Sequence, residues 1–168
     1  MAMKKRDAVI DWLQDAYAME SALEVMLRKQ SENDQVLHAV RERARIHLDE
    51  TRQHSERLSR CLEILNSSPS TLKSATGQII EVGKGFMSKF ARDERVKDFL
   101  AAYSAEYFEI ACYKSLIAGA RTAGEREIVP LLEANLREDR AMAEWLDMNV
   151  GAVTREYLFR TTHASVAA

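Results

Sequence analysis

Apolar residues recur at spacings of three and four along most of this chain, and their phases predict four long helices. The first stripe is Val9/Ile10, Leu13, Ala16/Tyr17, Leu23 and Leu27, a helix over about 5–29. Ser31–Glu32–Asn33–Asp34 interrupts it, with Asn33 or Asp34 as N-cap of the next helix. That second helix runs to about Leu65 on Leu37, Val40, Ala44, His47, Thr51, His54, Leu58 and Cys61/Leu62, apolar at both ends and polar between. A third helix, from near Asp93 to Gly124, carries Phe99, Tyr103, Glu106, Ile110, Tyr113, Ile117 and Ala120. A fourth begins between Gly124 and Pro130 and reaches about Asn149. Its inner positions are Leu131/Leu132, Asn135, Glu138/Asp139, Met142 and Trp145/Leu146, and Pro130 is tolerated in a first turn.

Asn66–Ser67–Ser68–Pro69–Ser70 ends the second helix. Residues 70–92 read as a weaker helical crossover broken near Gly83–Lys84–Gly85, a bend and not a nucleotide loop, because no strand precedes it. One long connection between helices two and three, with short ones elsewhere, predicts an all-α, ferritin-like four-helix bundle. The expected domain is 1–168, with its core at 5–149 and a tail at 150–168 that docks loosely or stays mobile.

Composition adds limits. Hydrophobic residues at 46% and charged residues at 30% suit a folded chain, and 6 Gly and 2 Pro leave few breaks in it. The formal net charge of -2, with basic and acidic residues interspersed, gives no field that would draw nucleic acid. Cys61 and Cys112 sit inside helical patterns and read as buried free thiols of a reducing compartment. No stretch reaches the roughly 18 apolar residues of a spanning helix, and no signal-peptide core follows the N-terminus. A cytoplasmic location without membrane contact is expected.

The candidate chemistry comes from an internal repeat. Ala16–Tyr17–Ala18–Met19–Glu20 returns as Ala102–Tyr103–Ser104–Ala105–Glu106. A second acidic motif follows each copy, His47–Leu48–Asp49–Glu50–Thr51 and Asn135–Leu136–Arg137–Glu138–Asp139, with Leu58 and Leu146 eight residues past each glutamate. Each helix therefore offers one glutamate at a matched height, and Glu109 lies one turn beyond Glu106. A buried ionised carboxylate without a partner costs several kcal/mol. The inner stripes hold no cation at this height; Arg28, Arg45, Arg52, Arg57, Lys114, Arg137 and Arg140 fall on other faces. Divalent cations would satisfy many oxygens at once, and carboxylates with imidazole suit iron or manganese. A hydrated polar layer with shared protons is the alternative.

The candidate ligands are Glu20, Glu50, His54, Glu106, Glu109, Glu138 and Asp139. The repeat favours Glu138 over Asp139 on the fourth helix. His54 is either a ligand or a satisfied core histidine, and His47 reads as the partner that orients Glu50. Tyr17 and Tyr103 either donate to metal-bound carboxylates or serve as core aromatics. Trp12, Met19 and Met26 form a second stripe on helix one, which predicts a homodimer or higher assembly, with cover by the crossover as the alternative.

The stretches Asp15-Ala-Tyr17-Ala-Met-Glu20, His47-Leu-Asp-Glu50-Thr51, Glu106-Tyr-Phe-Glu109-Ile-Ala-Cys-Tyr113 and Leu131–Leu132 through Asp139 resemble the YciF-like family of ferritin-like bacterial stress proteins. The resemblance implies a ferritin-like bundle and dimerisation. The wider di-iron class repeats Glu-x-x-His, but Gln53 and Ala141 stand where its histidines would be, with His54 and Met142 one residue later. Glu106-x-x-Glu109 resembles the pair in rubrerythrins, without a Cys-x-x-Cys module. The expectation is a dinuclear iron or manganese centre. Glu50 and Glu138 would bridge, Glu20, Glu106 and Glu109 would be terminal, and Fe(II) oxidation by oxygen or peroxide would follow. The alternative is a structural or stress-related dimeric module whose metal is absent or only structural.

Overall fold

The computed structural model of the chain describes residues 4–69 and 94–164. The expected crossover at 70–92, with its bend at Gly83–Lys84–Gly85, lies outside the described residues. Among them are four long helices: α1 (Lys5–Glu32), α2 (His38–Ile64), α3 (Glu94–Ala123) and α4 (Val129–Ala164). A 3-10 turn, Arg126–Ile128, leads into α4. The periodicity of the sequence is thus realised as an all-α four-helix bundle.

The helix ends follow local chemistry. Gly124 adopts φ 87 behind α3, and Asn66 adopts φ 53 behind α2, the left-handed conformation that closes helix C-termini. Ser67 N–H donates to the Leu62 carbonyl at 2.8 Å, and Glu125 N–H to that of Ala120 at 2.9 Å. The start of α2 differs from expectation. Its N-cap is Leu37, without a side-chain cap bond. Asn33 and Asp34 serve the preceding turn instead: Asn33 Oδ1 accepts from Gln35 N–H at 2.9 Å, and Asp34 pairs with Arg41.

α1 packs chiefly on α2, and α3 on α4, so the repeat becomes two helix hairpins. Arg6 donates to the Leu65 carbonyl at 3.2 Å, which ties the beginning of α1 to the end of α2. At Gly119 a Cβ would come within 2.8 Å of Trp12 Cζ3, so glycine allows α3 to approach the indole of α1. Trp12 stays 46% exposed while Met19 is buried, so the proposed stripe of Trp12, Met19 and Met26 is not one continuous outer face.

α4 runs past the end predicted near Asn149, and residues 150–164 continue the helix. Val153 is buried and Val150 packs beside it in a cluster with Val40, Phe99, Met142 and Leu146. That apolar contact outweighs the cost of Gly151 in a helix, about 1 kcal/mol relative to alanine. A larger cluster, including Val9, Leu13, Leu58, Leu62, Tyr113, Ile117 and Leu132, forms a second, separate part of the core. No helix among the described residues is long and apolar enough to cross a membrane.

Candidate metal centre

The buried polar residues include Glu20, His47, Thr51, His54, Glu106, Glu109, Asn135 and Asp139. α2 sets the pattern. His47, Thr51 and His54 are spaced four and three apart and share its buried face. Glu50, between them in sequence, falls partly outside that face, with 24% of its side chain exposed. The two imidazoles start about 10.5 Å apart along the axis at 1.5 Å per residue. They converge to a ring separation of 6.1 Å at an interplanar angle of 78°.

Each imidazole joins an inner carboxylate to an outer one. His47 Nε2 is 3.0 Å from Glu106 and its Nδ1 is 2.7 Å from Glu50. His54 Nδ1 is 3.3 Å from Glu20 and 3.5 Å from Asp139, and its Nε2 is 2.8 Å from Glu138. The inner Nδ1 of His54 lies within ion-pair range but lacks hydrogen-bond geometry to either acid. His47, Glu106 and Glu109 each bring one ligand atom to within 4.8 Å of the others, a grouping able to hold a metal ion.

The outer acids are clamped by arginines. Arg57 donates to both oxygens of Glu138, at 2.6 and 3.0 Å, and Arg43 to Glu50 at 3.3 Å. This corrects the expectation for Arg57, placed on another face by helical phase and yet reaching Glu138. The guanidinium reaches the rim along its stem, which helical phase alone cannot show. Glu138 is correspondingly half-buried, whereas Asp139 is fully buried. The two acids left as alternatives on the fourth helix thus occupy different places.

A polar ring supports the His54 side. Tyr113 Oη donates to Glu20 in a short bond. Asn135 Nδ2 donates to Tyr113 Oη at 2.9 Å and to the His54 carbonyl at 3.3 Å, and Asn135 Oδ1 accepts from Arg57 at 2.9 Å. Because the tyrosine oxygen accepts from Asn135, its single proton is free to face Glu20. Tyr103 does not take this role; it donates to Asp147 at 2.9 Å. Tyr17 packs against the larger apolar cluster.

The electrostatics are those of crowded acids. Burial, then Glu106, Glu20 and Asp139, hold the Glu109 carboxyl well above the usual range. Burial pushes Asp139 up to about 8; Glu20 and Glu106 add to this and the histidines oppose it. Burial disfavours charge on His47, but Glu106 and then Glu50 outweigh it and raise it to about 10. His54 is raised against burial by Glu20 and Asp139. Despite these pairs, Glu20 Oε2, Glu106 Oε2, both oxygens of Glu109 and both of Asp139 are buried without a hydrogen-bond partner. An orphaned buried acceptor costs about 1–3 kcal/mol, so six at one level is a large unsatisfied demand. Hard oxygens around two imidazoles are the donor set that iron or manganese accepts.

Of the sequence candidates, Glu20, His54, Glu106, Glu109 and Asp139 meet in the buried layer, while Glu50 and Glu138 stand at its rim. His47 joins the inner group, and its signal was its place seven residues before His54 on one face. Tyr113 and Asn135 lay on predicted inner stripes without a visible partner, since their partners are on other helices.

Solved structures with the same fold carry related sequences. A protein of Xanthomonas campestris pv. campestris is 33% identical, over 94% of this chain and 99% of that one, with a TM-score of 0.80. YcfI of Rhodopseudomonas palustris is 28% identical over 86% of this chain and 94% of its own, at 0.74. The E. coli stress protein YciF is 23% identical over 92% and 99%, at 0.75. Residues 4–159 match the family described as Domain of unknown function (DUF892), and the chain therefore belongs to this family of YciF-like helical proteins.

Proposed function

We propose that the protein binds two divalent iron or manganese ions in the polar layer between its four helices. One ion is held by His47, Glu106 and Glu109, the other by His54, Glu20 and Asp139. The observation that carries this reading is the set of six buried carboxylate oxygens with no donor. Four acids facing neutral imidazoles balance two divalent ions, while Arg43 and Arg57 already balance Glu50 and Glu138.

In this arrangement Glu50 and Glu138 act through the imidazoles. Each accepts from the outer ring nitrogen, which fixes the tautomer and turns the other nitrogen inward. Tyr113 orients Glu20, and Asn135 orients Tyr113. When bound, Fe(II) would itself be the reductant, each ion giving one electron, so that a pair would supply the two electrons that take oxygen to peroxide or peroxide to water. The surrounding apolar clusters keep bulk water from the layer. A protective role under stress, of the kind YciF's name states, follows from removing either reactant, and a cytoplasmic homodimer remains part of the proposal.

The experiment is elemental analysis of protein purified without added metal, together with thermal unfolding in chelator and in Fe(II) or Mn(II). Two ions per chain and a raised midpoint support the reading. A midpoint indifferent to metal defeats it. That outcome would favour the second reading, a structural module, which Gln53 and Ala141 at the usual histidine positions motivate.

A further inference from the structure

Surface charge on this protein is mostly paired, as in Arg28 with Glu24, Arg45 with Glu42 and Arg60 with Glu63. One groove departs from that rule. It runs between α3 and α4, has a volume of about 380 Å³, and its floor is Ile117, Ala118 and Leu136. Lys114 and Arg121 of α3 and Arg137 and Arg140 of α4 rim it, with Glu133 as its single acid. Arg121 and Glu133 close on each other at 2.7 Å, a bridge from one helix to the other.

Among the described residues, the remaining three cations have no counter-charge at ion-pair distance. Lys114, Arg137 and Arg140 are exposed, and none makes an ion pair or hydrogen bond with another of the described residues. Lys114 stands seven residues before Arg121, and Arg137 three before Arg140, so each helix presents its pair on one face. Like charges gathered over an apolar floor repel one another and focus a positive field into the groove. Elsewhere on the described surface, acids pair with most of the arginines.

We infer that this groove binds a small, multiply charged phosphate-type oxyanion, held by Lys114, Arg137 and Arg140. The guanidinium forks of Arg137 and Arg140 match paired phosphate oxygens, and Lys114 adds a mobile point charge. Size follows from charge as well. The whole chain carries -2, so a long polyanion would meet repulsion beyond the groove, whereas pyrophosphate would not. The site lies outside the buried carboxylate layer and does not depend on the metal reading.

The test is calorimetric titration of the full chain, metal-free and at about 0.1 M salt, with pyrophosphate, inorganic phosphate and a single-stranded oligonucleotide. The expected result is one pyrophosphate per chain, bound more tightly than phosphate. Combining Lys114→Gln, Arg137→Gln and Arg140→Gln should weaken it at least about tenfold, because three direct charge contacts are removed. A control with Arg28→Gln, Arg45→Gln and Arg60→Gln changes net charge equally and should bind within about twofold of wild type, since screening confines distant charges. Circular dichroism confirms that both variants fold. Absence of pyrophosphate binding, equal loss in the control, or tighter binding of the oligonucleotide each overturns the proposal.

Discussion

The two hairpins are related by their repeat, yet matched positions carry different side chains. Glu20 on α1 and Glu106 on α3 are both buried acids. One turn further α1 has Leu23 where α3 has Glu109, and another turn on, Leu27 where α3 has Tyr113. On the other pair of helices, His47 matches Asn135, Thr51 matches Asp139 and His54 matches Met142. The first hairpin thus provides both imidazoles and one inner carboxylate. The second provides the other three inner carboxylates, together with the tyrosine and asparagine that support the first hairpin's Glu20 and His54. The duplicated backbone keeps heights and faces equal, while the chemistry at each height is free to diverge. Neither hairpin holds the whole of the proposed ligand set, so the buried cluster of acids and imidazoles forms only where they pack together.

The largest expected effect separates the inner acids from the rim. Metal at a hundredfold excess over Kd should stabilise wild type by about 2.7 kcal/mol for each ion bound. Glu109→Gln and Asp139→Asn should each lose most of one ion's share of that gain while their metal-free forms become more stable by on the order of 1 kcal/mol, because like-charge crowding is relieved. Glu50→Gln should retain more of the gain than either, since it touches an imidazole and an arginine. Differential scanning with chelator and with Fe(II) or Mn(II) reads all three; equal losses at rim and centre would erase the distinction.

Stoichiometry sharpens the comparison within α2. His47→Ala should abolish the ion shared with Glu106 and Glu109, and His54→Ala the one shared with Glu20 and Asp139. Each variant should then carry one ion per chain by elemental analysis. Retention of two ions in either would break the division into two sides.

A smaller, graded effect concerns pH in the metal-free protein. The ordinary Asp139 value of 3.8 rises to about 8 on folding, so its contribution is complete below about pH 4 and lost as pH climbs to about 8. His47 rises from 6.5 to about 10, so its contribution is complete below about pH 6.5 and lost up to about 10. Both shifts have the same sign, and the chelated midpoint should fall between about pH 6 and 9. Metal competes with protons for the same atoms, so metal-induced stabilisation should grow over that range. Parallel midpoints with and without metal would contradict this.

The smallest effect distinguishes the two clamps. Arg57 makes a two-pronged contact with Glu138 and also serves Asn135, whereas Arg43 reaches Glu50 by one 3.3 Å contact. Arg57→Gln should cost about 1–2 kcal/mol and Arg43→Gln under about 1 kcal/mol, following the strength of forked charged bonds. Urea midpoints of the two variants decide it, and a larger loss at Arg43 would reverse the ranking.

Periodicity alone determined the helices, their inner faces and the level at which acids collect, because burial repeats every 3.6 residues and carboxylates on an apolar stripe need compensation. It also contained the repeat, and with it the two-hairpin plan. Three things were decided by tertiary structure. Val153 extends α4 because it finds Val40 and Phe99 across the bundle. Arg57 reaches Glu138 on another helix with a stem long enough to leave its own face. Asp139 takes the inner place that the repeat had assigned to Glu138, because a helix turns about 100° per residue and adjacent residues cannot share one direction, while Glu50, three residues and about 60° round from His47, falls beside that histidine at the rim. Spacing along one helix settles which residues share a face. Which of them meet, and at which atom, depends on the rotation and separation of helices whose partners are dozens of residues away.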